Sequence, residues 1–427
     1  MHIKSLALVA AAVLTAGAAQ AADLNKPAKA AVDYVKVCDA YGAGFFYIPG
    51  SDTCLQISGY ARETWQTGGS KSMTSIGAAQ FLGPYGGSTS GTTSGRTRNA
   101  FVSQTEIEVD IDARTNTQYG LLRSYESIDV DFNSGGATTI NLNRGFVQWG
   151  GFTAGRIESN FTFFQGYNEE LNFSELASDY QTNAVSYQAS FGNGVTALIG
   201  LEDSTTSTRT TSTGGSFAYQ GNKVPDVVGY LNVTQAWGSA QLSLAAHNVY
   251  GTGNAVNVNK WGYAAQAGVW FNLPTLGAGD KIGFQAAYAQ GALKYTSAGE
   301  IVAGLTNTDI GTDASVTTAG AAKLNTAWNV YGSIIHNFSS TVNLAIGGGV
   351  QGYTGYDGLF AGGTKVGYTE GEIGATLAWT PVKGLLFDAS VEYANTAFTS
   401  ATKTVYAAQG LQNADAWIFG LRAKRSF

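Results

Sequence analysis

Glu106-Ile107-Glu108-Val109-Asp110-Ile111-Asp112-Ala113-Arg114 puts a charge at every even position and an apolar residue at every odd one. A two-residue period is that of a β-strand, whose successive side chains point to opposite faces. The segment therefore reads as a strand with one charged face and one apolar face. The same pattern returns near the other end of the chain. Phe387, Ala389, Val391 and Tyr393 oppose Asp388, Ser390 and Glu392, while Ile373, Ala375, Leu377 and Trp379 oppose Glu370, Glu372, Gly374 and Thr376. Trp417, Phe419 and Leu421 oppose Gly420, Arg422 and Lys424. Aromatic residues sit near the ends of these apolar faces, as they do at the two interfaces of a membrane-spanning barrel. A strand of a soluble sandwich shows similar alternation, but with larger core residues and compact turns throughout.

Composition favours the membrane reading. Only 13% of the 427 residues are charged, 12% are aromatic, and 56 Gly stand against 6 Pro. After the N-terminal region no segment approaches the roughly 20 apolar residues of a spanning helix. Strands with one face toward lipid and one toward water account for few charges, many aromatics and no apolar helix, provided they close into a barrel that pairs every backbone group.

About sixteen such strands fit the sequence, each near the roughly 10 residues that a tilted membrane strand needs. They begin near Leu55, Phe101, Thr117, Asn141, Gly151, Gln181, Gly194, Pro225, Ser239, Val258, Asp280, Leu324, Thr341, Lys365, Leu385 and Asn413. Connections alternate long and short. Long ones cover residues 67–100, 129–140, 158–180, 204–224, 251–257, 295–323, 355–364 and 398–412, and between them fall short turns such as Thr115-Asn116 and Gly150-Gly151. Transmembrane barrels keep short turns at the periplasmic end and long loops outside. The expected fold is all-β: a closed antiparallel transmembrane β-barrel with long external loops, short periplasmic turns and both termini periplasmic.

The N-terminal region sets the compartment. Lys4, the apolar run from Leu6 to Leu14 and Ala19-Gln20-Ala21 have the layout of a secretory signal peptide with its cleavage site. The alternative is an N-terminal anchor, for which the apolar run is short. Residues 1–21 are thus read as signal peptide, 22–54 as a periplasmic segment and 55–427 as barrel, with 158–180 folded into it. Cys38 and Cys54 are the two cysteines, and in an oxidising periplasm the pair reads as a disulfide rather than two free thiols. Without Lys4 the charge is 23 − 30 = −7, from 24 basic and 30 acidic residues in the whole chain. This acidic balance argues against a nucleic-acid partner.

No catalytic constellation and no cofactor or metal motif appears. The three histidines, His2, His247 and His336, lack paired metal spacing, and there is neither a G-x-S-x-G nor a P-loop. His247 lies in phase with Gln241 and Ser243, which parity assigns to the lumen face, and His336 borders a short turn; both read as isolated polar residues.

The arginines are more informative. Seven of ten lie between Arg62 and Arg156, namely Arg62, Arg96, Arg98, Arg114, Arg123, Arg144 and Arg156, and residues 157–208 contain no Lys or Arg. Arg62, Arg114, Arg144 and Arg156, with Arg123 beside them, are the candidate basic wall of a channel. Segment 158–180 is acidic (Glu158, Glu169, Glu170, Glu175, Asp179) and aromatic (Phe161, Phe163, Phe164, Tyr167, Phe173). Folded inward, it would bury its rings against the far wall and face its carboxylates to the arginines, setting a transverse field across a narrow mouth. The competing reading makes the arginines structural partners of Glu106, Glu108, Asp110 and Asp112.

Cys38-Asp39-Ala40-Tyr41-Gly42-Ala43-Gly44-Phe45-Phe46-Tyr47-Ile48-Pro49-Gly50, Asp52-Thr53-Cys54-Leu55 and Gly59-Tyr60-Ala61-Arg62 resemble the start of the alphaproteobacterial general porins. Arg144-Gly145-Phe146-Val147-Gln148-Trp149 and Gly151-Phe152-Thr153-Ala154-Gly155-Arg156 are similar to the segment ahead of that family's constriction loop, and Arg425-Ser426-Phe427 to its C-terminus. The resemblance implies a sixteen-stranded trimeric porin of the outer membrane, in contact with lipid and lipopolysaccharide. It implies a third external loop folded into the channel, and a C-terminal Phe427 read by the barrel-assembly machinery. Arg425 departs from the pattern, since an apolar residue is usual there. The implied function is passive diffusion of small hydrophilic solutes and ions. A substrate-selective channel, for sugars for example, stays open, with Tyr60, Trp65 and the aromatics near Tyr167 available to line its path. A barrel enzyme lacks a plausible partner for either later histidine.

Overall fold

The computed structural model describes residues 36–69, 101–133, 137–167, 178, 181–205, 216–296, 311–358, 363–407 and 413–427. Among these, sixteen long strands form one sheet, each hydrogen-bonded antiparallel to its neighbours. They are Cys54–Gly69 (β1), Phe101–Thr117 (β2), Gly120–Asn133 (β3), Thr138–Trp149 (β4), Phe152–Glu158 (β5) and Gln181–Gly192 (β6). Next come Val195–Glu202 (β7), Asp226–Gln235 (β8), Gly238–Gly253 (β9), Val256–Asn272 (β10) and Lys281–Gln290 (β11). Thr326–Asn337 (β12), Val342–Asp357 (β13), Thr364–Val382 (β14), Leu385–Phe398 (β15) and Ala414–Ser426 (β16) complete the series. β1 pairs with β16 from Tyr60↔Ser426 to Gly69↔Trp417, so the sheet closes on itself and has no free edge.

The alternation seen in the sequence is the in–out alternation of this wall. Ile107, Val109 and Ile111 are exposed on the outside of β2, while Glu106 and Asp112 are buried toward the lumen. Trp417, Phe419 and Leu421 are likewise exposed on β16, and Ile373, Leu377 and Trp379 on β14. Among the described residues no helix is long and apolar enough to cross a membrane. The crossing is made by strands.

Two connections are shorter than their composition suggests. Residues 251–257 read as a long loop, but β9 and β10 join through Asn254 and Ala255 alone, at φ 44° and 61°. Two left-handed residues match the twist of a hairpin, and Asn254 Nδ2 ties the turn to the Val316 carbonyl at 2.6 Å. Residues 129–140 also read as a loop, yet β3 runs to Asn133 and β4 begins at Thr138. The alternation Asp129-Val130-Asp131-Phe132 is strand, with Val130 and Phe132 on the outside.

At the short-turn end, Phe46–Tyr47 pairs with the start of β1 and Val37 bridges to Phe46. The disulfide Cys38–Cys54, with Cα atoms 6.0 Å apart, pins this segment to the barrel rim. Cys54 opens β1 rather than preceding it, and packs with Cys38, Phe45, Tyr41 and Tyr47. Phe427 lies beside this rim, its N–H donating to the Gly59 carbonyl at 3.1 Å. Arg425 bends back to the turn, where Nη1 donates to the Lys383 carbonyl at 3.3 Å. This places its charge at the rim, out of the apolar belt.

Candidate channel constriction

One wall of the lumen, β1 to β4, carries paired charges. Arg62 Nε donates to Glu106 Oε2 at 3.0 Å across the β1–β2 pair, and Tyr60 donates to the other oxygen of the same carboxylate. Asp112 is held by two guanidinium groups. Arg114 reaches it at 3.0 and 2.7 Å, and Arg123 reaches it at 2.9 Å through both Nε and Nη2. Arg144 pairs with Glu158 at 2.8 Å where β5 ends. Between these pairs Tyr125 donates to Asp110 at 2.8 Å, and Asn141 and Gln104 donate to Asp131 at 2.9 and 3.0 Å. In register, Arg62 stands opposite Glu106, and Arg114 opposite Arg123 at the other end of β2. At ~3.3 Å per residue the charged ladder climbs about 26 Å of wall.

The sequence-level candidates divide along this ladder. Arg62, Arg123 and Arg144 face the lumen with partners in the wall. Arg114 lies at the rim, its guanidinium over the Phe45 ring at 4.9 Å and the Tyr41 ring at 5.8 Å, so the disulfide-bonded segment covers it. Arg156 does not face the lumen. Its backbone partners Gly145 and Asn183 are out-facing, next to exposed Val147 and Val185, and its guanidinium donates to the Leu142 and Gln181 carbonyls. The two-residue period decides this: Ile157 is the buried, inward residue of β5, so Arg156 must point out. Trp65, a candidate for the path lining, is 51% exposed on the outside of β1 and donates to Glu63 at 2.7 Å. Of the acidic candidates Glu158 is described; Glu169, Glu170, Glu175 and Asp179 lie outside the described residues.

The opposite wall, β8 to β12, presents amides and a hydroxyl to the segment that follows β5. Phe161 is fully buried among Val228, Ala245, Ala264, Ala289, Ala292 and Tyr295, its ring centroid 4.8 Å from that of Tyr295. Phe164 packs on Tyr331 and Tyr167. Backbone groups are met by wall side chains: Gln266 Nε2 donates to the Phe161 carbonyl at 2.9 Å, and Gln241 Nε2 to the Thr162 carbonyl at 3.3 Å. The Phe164 N–H donates to Gln285 Oε1 at 3.2 Å, and the Tyr167 N–H to Ser333 Oγ at 3.1 Å. A chain crossing a lumen without secondary structure needs such partners for its peptide groups. Behind the crossing, Ser159 Oγ and Asn160 N donate to buried Glu202 at 2.9 and 2.7 Å. Tyr167 has its hydroxyl pushed up to about 12 by burial.

Two glycines make the seat. A Cβ at Gly268 would stand 2.4 Å from Phe163 Cδ1, and one at Gly283 would stand 2.4 Å from Phe164 Cζ. Inward glycines flanked by Gln266 and Gln285 are a usable signal for a seated aromatic segment, and the sequence reading passed over them. His247, read from the sequence as an isolated polar residue, is not isolated. That ring is 1% exposed, with Nδ1 2.8 Å from Asp226 Oδ1 and Nε2 3.3 Å from the Tyr219 hydroxyl. Nothing in the local sequence joins His247 to Asp313, which is 66 residues away along the chain.

A closed sixteen-stranded barrel with an apolar belt outside, paired charges inside and a segment crossing its lumen is an outer-membrane channel fold. Residues 23–419 match the family model described as Porin subfamily, and the chain belongs to that family. It is 33% identical over 254 residues to porin Omp2b of Brucella abortus (strain 2308), covering 56% of this chain and 64% of the relative. The same figures hold for Omp2b of Brucella melitensis biotype 1. The chain thus spans a little under two thirds of the curated relatives it matches. Among solved structures, the outer membrane channel DcaP of Acinetobacter baumannii superposes with a TM-score of 0.64 at 18% identity, covering 89% of this chain and 99% of that one. At that identity the likeness speaks for the fold. Family and fold place the chain in the outer membrane.

Proposed function

We propose that the chain forms a water-filled channel for passive diffusion of small hydrophilic solutes and ions, narrowed by segment 158–180. The observation that carries this reading is the seating of Phe161, Phe163, Phe164 and Tyr167 on the inward face of β8 to β12. It puts backbone across the lumen, while the opposite wall keeps its charges. Solutes crossing there meet the Arg62, Arg123 and Arg144 ladder on one side and the seated segment on the other. Ordered dipoles in such a field favour polar solutes that can exchange for water and exclude apolar ones. Single-channel recording in a planar bilayer tests it, with neutral solutes of graded size added to the bath. Small solutes should enter and lower the conductance, and larger ones should leave it unchanged. A bilayer that stays ion-tight, or conductance indifferent to all solutes, would sink the proposal.

The working unit we propose is a homotrimer. Support comes from the outside of β1 to β5, where Glu63, Glu126 and Arg156 interrupt the apolar belt. Glu126 and Arg156 flank Gly145 at one level of the barrel. An arginine at the middle of a lipid-facing barrel surface costs about 2–4 kcal/mol and a carboxylate less, so a protein neighbour covers this face better than acyl chains do. Lipid and lipopolysaccharide would then meet the aromatic-rich outside of β9 to β16, and Phe427 would serve the barrel-assembly machinery. Replacing Glu126 and Arg156 with Leu should dissociate the oligomer in detergent. Unchanged mass of the protein–detergent complex would count against this face as the seam.

A further inference from the structure

We infer that a cavity on the inward face of β4 to β8, on the short-turn side of the crossing segment, is a site for a small neutral polyhydroxyl solute of the monosaccharide class. The inference rests on the channel reading above and adds to it a class of solute that the lumen holds.

The sheet register builds the cavity. Gln148 on β4 stands opposite Thr153 on β5, and Thr153 opposite Ser186 on β6. One step toward the short turns, Gln188 on β6 stands opposite Leu198 on β7, and Leu198 opposite Tyr230 on β8. Parity turns both rows inward, because the alternate residues Val147, Val185, Tyr187, Ile199 and Leu231 are exposed on the outside. Side chains directly opposite on one face lie ~5 Å apart, so the two rows make a continuous patch. Gly150 and Gly151 at the β4–β5 turn bound it on one side, and Ile157 and Asn160 on the other, where β5 leads into the crossing segment. The cavity measures about 330 Å³, within the ~300–1,000 Å³ typical of small-molecule sites.

The chemistry of the lining selects the solute. Tyr230 donates its hydroxyl proton to Gln188 Oε1 at 3.0 Å, which leaves the Gln188 amide nitrogen to donate in turn. Asn160 gives Nδ2 to Glu202 at 3.0 Å and presents its amide oxygen as an acceptor. The Gln148 amide and the Thr153, Ser186 and Ser190 hydroxyls complete the polar lining. Donors and acceptors are thus interleaved over a short distance. None of the lining residues is Asp, Glu, Lys, Arg or His. Two neighbouring charges are engaged elsewhere: Arg123, opposite Gln148, donates to Asp112, and Glu202 accepts from Ser159 and Asn160.

An ion entering this cavity would shed hydration with no counter-charge in the lining to replace it. A hydroxyl-rich solute replaces each displaced water contact with one of its own. Ile157, Leu198 and the Tyr230 ring give its C–H faces an apolar surface. Binding in a conducting path must be weak enough for the solute to leave, so the site acts on flux.

Bilayer recordings with glucose and with tetraethylene glycol, a polyether of similar mass with hydroxyls only at its ends, test this. Filling of the lumen by size alone lowers the ion current in proportion to concentration, whereas a site saturates. Glucose should saturate and the polyether should not. The half-blocking glucose concentration should stay the same when gluconate replaces part of the chloride at constant ionic strength. The near-isosteric pair Thr153→Val with Ser186→Ala should raise that concentration by about tenfold, and Gln148→Leu should act in the same direction from the neighbouring strand. A glucose effect on the wild type that matches the polyether would overturn the inference and leave the channel reading standing. Wild-type saturation in both variants would place the solute elsewhere and overturn it too, and competition by gluconate would overturn the neutral class. A bilayer that stays ion-tight would instead strike the channel reading itself.

Discussion

The two halves of the lumen wall are built to opposite rules. β1 to β4 hold Arg62, Arg114, Arg123 and Arg144 among Glu106, Glu108, Asp110 and Asp112, each guanidinium paired within the wall or at its end. β8 to β12 present Gln241, Gln266, Gln285, Ser333 and bare glycine, and bury rings. A charged wall can stay lined with water, since each charge keeps a partner and a wet side. A seat of amides and glycines suits a docked segment, because amides meet peptide groups and glycines make room for rings. The difference lies in what anchors each side: the docked side rests on packing, the charged side on pairs fixed in the sheet.

The largest effect should come from breaking the seat. Phe161→Ala removes a fully buried ring, a change that costs about 3–5 kcal/mol in a core. The loss falls on segment 159–167, so conductance and open-channel noise should both rise while the barrel keeps its heat resistance. Gly283→Leu, which drives a side chain into the Phe164 ring, should act the same way. Unchanged conductance in both would mean that the seat does not set the aperture.

Next comes the charged wall. Asp112 is 5% exposed, and Arg114 and Arg123 are its two cationic partners. Replacing both with Met leaves a buried carboxylate uncompensated, at about 3 kcal/mol or more. The midpoint of thermal unfolding in detergent should fall, and Asp112→Asn in the same background should restore much of it. No rescue would refute the pairing. Smaller again is the disulfide: Cys38→Ser with Cys54→Ser should cost the rim segment about 3 kcal/mol by loop entropy. It should be seen as proteolysis of residues 36–53 with the barrel intact.

The smallest effect is at a short turn. Asp280 accepts from the Asn337 N–H at 2.8 Å and from His336 at 2.6 Å. These donors, the Asn337 N–H first, hold its carboxyl below the usual range. A depressed folded value means that the stabilisation is present above the ordinary carboxylate value of about 3.9 and fades as pH falls through the folded value. Acid unfolding of Asp280→Asn should lack that component. Identical acid profiles for the variant and wild type would contradict it.

Much of the barrel was legible because its period is short. A two-residue alternation declares itself within one strand, and all sixteen strands stand within a few residues of where the pattern puts them. Parity also carries the correction for Arg156, which lies one residue from inward Ile157 and so faces out. The turn at Asn254-Ala255 was hidden because Gly, Thr and Asn suit loops and hairpin turns alike. The His247 cluster was hidden for another reason: its members come from four separate stretches that only the closed barrel brings together. The glycines at 268 and 283 carry no local sign either, since what they admit is a ring from more than 100 residues away.

The central claim is that Arg62 and Arg144 stand at the aperture, opposite the seated segment. The most direct measurement is the reversal potential under a salt gradient for wild type and the double variant Arg62→Gln, Arg144→Gln. Wild type should prefer cations mildly, and less so at high salt, because exposed charges act over only ~8 Å at physiological ionic strength. The variant should prefer cations more strongly, since Glu106 and Glu158 lose their counter-charges. Equal reversal potentials for the two proteins would contradict the account.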